Sequence, residues 1–114
     1  MIEISKYIYN KIIELSNTSL QRKLWLNENN DTGLISSYTE LMCTLFDDYQ
    51  FDDFVDKISF ELKLSNTLIW ELKKLRESLN NYDAKDTDEE IINDPKWGEI
   101  VGQAQKVIEK WGRM

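Results

Sequence analysis

The spacing of apolar residues in the stretch 34–47 constrains the fold of this chain more than any other feature. Apolar side chains recur there at intervals of three and four residues, which lines one face of an α-helix and fits no strand. They are Leu34, Ile35, Tyr38, Leu41, Met42, Leu45 and Phe46. We predict a core-facing helix over 34–47, capped either by Ser37, with Glu40 three residues later, or by Thr32.

The same helical period recurs along the rest of the chain. It predicts further helices over 2–16, 19–27, 51–63, 65–80 and 95–111, with a short helical turn over 88–93. Ser65, Thr87 and Asp94 are the expected caps, and Pro95 suits a first helical position. Four glycines and one proline in 114 residues are too few for a turn-rich all-β fold. We therefore predict a single all-α domain over 1–114, a compact bundle of about five to six helices.

An unusual run of acidic residues follows the apolar stripe. Its charged members are Asp47, Asp48, Asp52, Asp53 and Asp56, with no basic residue among them. Aspartate is unfavourable inside a helix and favourable in its first turn, where it complements the helix dipole. We therefore place Asp47 and Asp48 at the end of one helix and Asp52 and Asp53 at the start of the next. Tyr49 and Gln50 then form the turn between them.

The overall charge narrows the class of partner. Fourteen basic and 21 acidic residues give a net charge of −7, which disfavours binding to nucleic acid or to an anionic membrane. Such a chain attracts a basic protein, although acidity that only serves solubility is the alternative. Charged residues interrupt the apolar N-terminal stretch, so we expect neither a signal peptide nor a membrane span, and a cytoplasmic location.

The composition also limits the chemistry. The chain has no histidine, which is the commonest general base and transition-metal ligand. The acidic run lacks the glycine and the ligand spacing of an EF-hand, and only Asp53-x-x-Asp56 approaches the paired carboxylates of helical nucleotide hydrolases. We find no phosphate loop, catalytic triad or Cys-x-x-Cys pair. We predict no enzyme activity and no cofactor or metal, with a Mg²⁺-dependent hydrolase as the third hypothesis.

Four further expectations concern single positions or loops. Cys43 lies beside the apolar stripe and is expected to be a half-buried apolar residue. Trp70 lies off the apolar row of its helix, and we expect core or edge packing. Gly98 and Gly102 are expected to permit close helix packing. The Asn-rich segment 27–33 is either a binding loop or a plain connection, and we favour the connection.

Two segments carry a resemblance to a known family. The sequences ISSYTELMCTLFDDYQFDDFV and DPKWGEIVGQAQKVIEKW, in an acidic chain of this length, resemble the small helical immunity proteins of bacterial toxin systems. Those of contact-dependent growth inhibition are the nearest comparison. The resemblance implies a specific partner, the cytotoxic C-terminal domain of a toxin from the same cell, often a nuclease. It also implies that binding blocks the active site of that domain.

The leading hypothesis is a non-catalytic immunity protein that covers a basic active site. We expect the five aspartates of 47–56 to supply charge, with Tyr49 and Phe51 as apolar anchors. A second acidic stretch is the other candidate surface, and it consists of Asp86, Asp88, Glu89 and Glu90. Two alternatives stay open: an acidic adaptor or regulatory domain that uses the same surface, and a solvated helix junction without a partner.

Overall fold

Seven helical segments make up most of the described chain. The computed structural model describes residues 2–112, and no strand occurs within that range. The segments are α1 (Ile2–Leu15), α2 (Thr18–Leu26), α3 (Tyr38–Cys43, continued by a π-helical turn at Thr44–Asp48), α4 (Phe51–Asp53, a π-helical turn at Phe54–Ile58, then Ser59–Glu61), α5 (Asn66–Asn81), α6 (Asp88–Ile92) and α7 (Pro95–Trp111). The prediction of an all-α fold is confirmed.

Four helices begin at caps that the sequence predicts. The caps are Ser37, Ser65, Thr87 and Asp94, whose side chains accept hydrogen bonds from the backbone N–H groups of Glu40, Leu68, Glu90 and Lys96. Each such bond satisfies an N–H group that has no partner within the helix, which is worth about 1 kcal/mol. The beginning of α3 is therefore set by Ser37 and not by Thr32.

The position of that cap corrects the prediction for the residues before it. Leu34 and Ile35 lie outside α3 and are 65% and 79% exposed, so their assignment to the core stripe is wrong. Ser37 has an extended backbone, with φ −163° and ψ 169°. The N–H group of Ser36 donates to the carbonyl of Leu24 at 2.9 Å. These interactions hold the chain extended just where the apolar period, read alone, would continue the helix.

The seven helices share one hydrophobic core. Helix α7 packs against α1 and α5, and α6 packs against α2. Trp97 is the largest fully buried side chain, and its ring contacts Trp25, Tyr38 and Tyr82 with centroid separations of 5.9, 5.5 and 5.3 Å. These four rings come from α2, α3, α7 and the end of α5, so their contacts bring early and late helices of the chain together.

The expectations for Cys43, for Trp70 and for the two glycines of α7 are wrong. Cys43 is exposed, because it faces away from the buried positions Leu41 and Leu45 of α3. Trp70 is 62% exposed, and the ammonium of Lys74 lies 5.6 Å from its ring centroid. No described atom lies within 4 Å of a Cβ added at Gly98 or at Gly102, so these glycines are not sites of close helix contact.

Candidate protein-binding surface

The acidic run forms a sharp corner between α3 and α4. Gln50 turns the chain there with a left-handed backbone, φ 48° and ψ 61°. A π-helical turn lies on either side of the corner. In the first, the N–H of Tyr49 donates to the carbonyl of Thr44, and in the second, the N–H of Ser59 donates to the carbonyl of Phe54. The predicted helix–turn–helix arrangement is confirmed. Single π-helical turns occur frequently at functional sites.

Only part of the charge at this corner is balanced within the chain. All five aspartates are exposed. Arg76 on α5, with 18% of its side chain exposed, pairs Nη1 with Asp56 Oδ1 at 2.7 Å and lies 3.8 Å from Asp52 Oδ1 through Nε. Within residues 2–112, Asp47, Asp48 and Asp53 form no ion pair. Five carboxylates against one guanidinium leave the corner with a local charge of about −4.

The aromatic residues at the corner do not all face solvent. Phe51 is fully buried and packs edge-on against Phe46 with centroids 5.6 Å apart, so it stabilises the core and cannot serve as the expected partner anchor. It shares the buried side of its helix with Phe54 and Val55. Tyr49 is half-buried and stacks on Tyr7 at 5.6 Å, and Tyr7 is itself 48% exposed.

Tyr7 is a surface residue that the sequence did not indicate. Its contact with Tyr49 joins α1 to the corner, and no local pattern predicts which residue of a distant helix will stack there. The corner also holds a shallow groove of about 360 Å³. It is lined by Phe46, Asp47, Gln50, Asp52 and Asp53. The corner therefore combines unpaired carboxylates with accessible aromatic area.

Two of the four residues in the second acidic stretch take part in structural contacts. Asp88 Oδ1 accepts a hydrogen bond from the backbone N–H of Tyr38 at 3.3 Å, which ties α6 to the beginning of α3. The Thr87 hydroxyl and the Glu90 carboxylate lie 3.0 Å apart in the cap of α6. Asp86 and Glu89 are exposed, and Lys85 lines the same 480 Å³ cleft as Glu89 and Glu90. This surface has fewer free carboxylates than the corner.

Two other acidic residues are buried and have defined structural roles. Glu14 accepts hydrogen bonds through Oε2 from the indole of Trp25 at 2.9 Å and from the hydroxyl of Ser36 at 3.0 Å. Glu71 pairs with Lys74 at 2.6 Å, and this hydrogen bond lowers the pKa of the Glu71 carboxyl. Glu14 therefore joins α1 to α2 and to the loop before α3, and Glu71 also accepts from the side-chain amide of Gln103 on α7 at 3.4 Å.

A hydrogen-bonded pair joins the end of α5 to the beginning of α7. The hydroxyl of Tyr82 donates to Asp94 Oδ2 at 2.8 Å, while Asp94 Oδ1 caps α7 through the N–H of Lys96. The bond from Tyr82 lowers the pKa of the Asp94 carboxyl. Burial, followed by the bond to Asp94, raises the pKa of the Tyr82 hydroxyl. The ionised form of Asp94 is therefore the form that the fold stabilises.

This pair predicts a pH effect of the substitution Tyr82→Phe. A carboxyl whose pKa is lowered by folding stabilises the fold above its unfolded pKa, near 3.8, and loses that contribution as the pH falls through the folded pKa. Removing the hydroxyl is expected to move the pKa of Asp94 upward, toward 3.8, so that this carboxyl stabilises the fold less near neutral pH and less of that stability is lost in acid. NMR titration of the Asp94 carboxyl measures this shift. Tyr49→Phe is the control, and an unchanged Asp94 pKa in Tyr82→Phe would contradict the assignment.

Three further findings concern metal sites, membrane-spanning helices and similarity to known proteins. No group of three or more His, Cys, Asp or Glu side chains is placed to hold a metal ion among residues 2–112. In the same range, no helix is both long and apolar enough to cross a membrane. The chain matches no protein-family model, no curated protein sequence and no solved structure.

Proposed function

We propose that this protein is a non-catalytic inhibitor that binds a basic protein, the cytotoxic domain of a bacterial toxin, through the corner between α3 and α4. One observation carries the proposal: three exposed aspartates, Asp47, Asp48 and Asp53, have no ion-pair partner within the described residues. They share the corner with Tyr49, whose ring stacks on the partly exposed ring of Tyr7. The resemblance to small helical immunity proteins of contact-dependent growth inhibition supports the choice of partner.

The charge at the corner suits a partner that binds nucleic acid. A nuclease presents lysine and arginine side chains to phosphate groups, and an acidic surface competes for the same side chains. Complementary charge speeds the encounter and excludes other partners, whereas aromatic area at the interface supplies affinity. In this arrangement Tyr49 stays an anchor, and Tyr7 takes the place of the buried Phe51. Covering the basic active site is then sufficient for inhibition.

The proposal predicts weaker binding when the unpaired charge is removed. The triple variant Asp47→Asn, Asp48→Asn, Asp53→Asn is expected to bind the toxin domain about 10- to 100-fold more weakly, since each surface carboxylate contributes up to about 1 kcal/mol. Most of the loss should appear as slower association, and the salt dependence of binding should become shallower. Biolayer interferometry at two salt concentrations measures all three quantities.

A matched variant separates local charge from net charge. Glu77→Gln, Asp83→Asn, Glu99→Gln removes the same three charges from exposed positions near the end of α5 and on α7, and we expect its affinity to stay close to that of the wild type. An equal loss in both triple variants would show that only net charge matters. The variant Asp86→Asn, Glu89→Gln tests the second acidic stretch, and a loss confined to it would move the binding surface to α6.

An acidic adaptor or regulatory domain is the second candidate, because it would use the same corner. The two functions differ in the consequence of binding. An immunity protein restores growth of cells that express the toxin domain, and the corner variant should lose this protection. Retained protection by the corner triple variant, with wild-type expression level, would reject the proposed role of this surface.

A further inference from the structure

The loop between α2 and α3 presents two large aliphatic side chains to solvent. Leu34 and Ile35 are adjacent, and both are among the most exposed apolar residues of the described chain. Single exposed apolar residues are common on protein surfaces, whereas two adjacent ones expose more apolar area at one place in the loop. The described part of the chain provides no cover for it, so a partner is the candidate occupant.

Hydrogen bonds hold this loop in one conformation. The side-chain amide of Asn30 donates to the carbonyl of Leu34 at 2.6 Å, and the Leu34 N–H donates to the hydroxyl of Thr32 at 3.0 Å. On the other side of the tip, Ser36 donates its N–H to the carbonyl of Leu24 and its hydroxyl to Glu14. A loop that is ordered before binding loses less conformational entropy when it binds.

The tip and the acidic corner lie at opposite ends of α3. The eleven residues of that helix, including its π-helical turn, span about 16 Å at 1.5 Å per residue. Between its ends, the outer side of α3 carries Glu40 and Cys43, both exposed, before it reaches Asp47. One interface of ordinary size, about 800 Å² on each partner, is wide enough to include both ends.

We infer that the toxin domain covers the outer side of α3, with Leu34 and Ile35 seated in an apolar pocket and the corner aspartates paired with its basic residues. This inference rests on the proposed function and adds the apolar anchor that Phe51 does not supply. A second copy of this chain fits the surface less well. Two copies meeting along α3 would place one acidic surface, which carries Glu40 and the corner aspartates, against another, and like charges repel.

The test compares the loop with an equally exposed apolar residue elsewhere. Leu34→Ser, Ile35→Ser keeps the backbone hydrogen bonds of the loop and is expected to weaken binding of the toxin domain by at least about tenfold. The loss should appear as faster dissociation with unchanged salt dependence, in contrast to the corner variant. Trp70→Ala on α5 removes an exposed apolar side chain at another surface and should bind as the wild type does.

Cys43 provides a second measurement on the wild-type chain, because it is the only cysteine and it is exposed midway along α3. Bound toxin domain is expected to slow its alkylation by iodoacetamide at least about fivefold, as followed by mass spectrometry of this chain.

Wild-type affinity of the loop variant, or unchanged alkylation in the complex, would overturn the inference while the loss in the corner variant still supports the proposed function. Absence of any wild-type complex would overturn both. If light scattering shows that the wild type is a dimer and the loop variant is a monomer, Leu34 and Ile35 would instead be assigned to self-association.

Discussion

Replacing Trp97 by alanine is expected to lower the free energy of unfolding by about 3–5 kcal/mol, the range for a large aromatic side chain removed from a core. Its ring is fully buried among Trp25, Tyr38 and Tyr82. These neighbours are themselves large and held by other contacts, so they cannot collapse into the space. A domain of this size is stable by about 5–15 kcal/mol, so the substitution removes a large part of the total.

Trp70→Ala is the matched control, since it removes the same side chain from an exposed position. We expect it to change the free energy of unfolding by no more than about 0.5 kcal/mol. Urea unfolding followed by far-ultraviolet circular dichroism measures both variants without depending on tryptophan fluorescence. Similar losses in the two variants would show that the ring cluster around Trp97 is not the centre of the core.

The buried face of α7 could be predicted because local signals agree with one another. Asp94 and Pro95 fix its beginning, and the 3.6-residue period then places Trp97, Ala104 and Val107 on the buried side. The same agreement located the acidic corner. Aspartate is favourable in the first turn of a helix, and the structure places Asp52 and Asp53 there, at the beginning of α4.

Prediction from the sequence fails where two local patterns disagree, or where a contact between residues far apart in the sequence determines the structure. The apolar period extends back to Leu34, but the Ser37 cap and the hydrogen bond from Ser36 to Leu24 start the helix later. Periodicity shows which residues share a face and does not show where the helix begins. The partial neutralisation of the corner is a different failure, because Arg76 reaches Asp52 and Asp56 from another helix, about 20 residues away.

Gln21 is the clearest case of a residue whose role cannot be predicted from its local sequence. Its substitution is also expected to cause a large loss in the free energy of unfolding. It is fully buried, and its side-chain amide donates to the carbonyls of Glu14 and Leu15 at 3.0 Å each. Its carbonyl accepts from the indole N–H of Trp97, also at 3.0 Å. It thus satisfies the end of α1, where helix carbonyls have no partner in their own helix, and links that end to α7.

Gln21→Met is expected to lower the free energy of unfolding by about 2–4 kcal/mol, because it keeps the side-chain volume and leaves buried polar groups without partners. Gln105→Met is the matched control: Gln105 also donates to a carbonyl just beyond α1, that of Ser16 at 3.1 Å, but from an exposed position. Water can replace that bond, so its cost should stay below about 1 kcal/mol. Equal costs would mean that burial of Gln21 adds nothing to its hydrogen bonds.

A double-mutant cycle with Trp97→Phe isolates the bond between α2 and α7. Phenylalanine keeps most of the ring and removes the N–H group that Gln21 accepts from. In the Gln21→Met background that N–H is already unpaired, so its removal should cost less there than in the wild type, with a coupling of about 1 kcal/mol. Additive effects would show that the indole N–H does not depend on Gln21, and that the buried amide acts only on the end of α1.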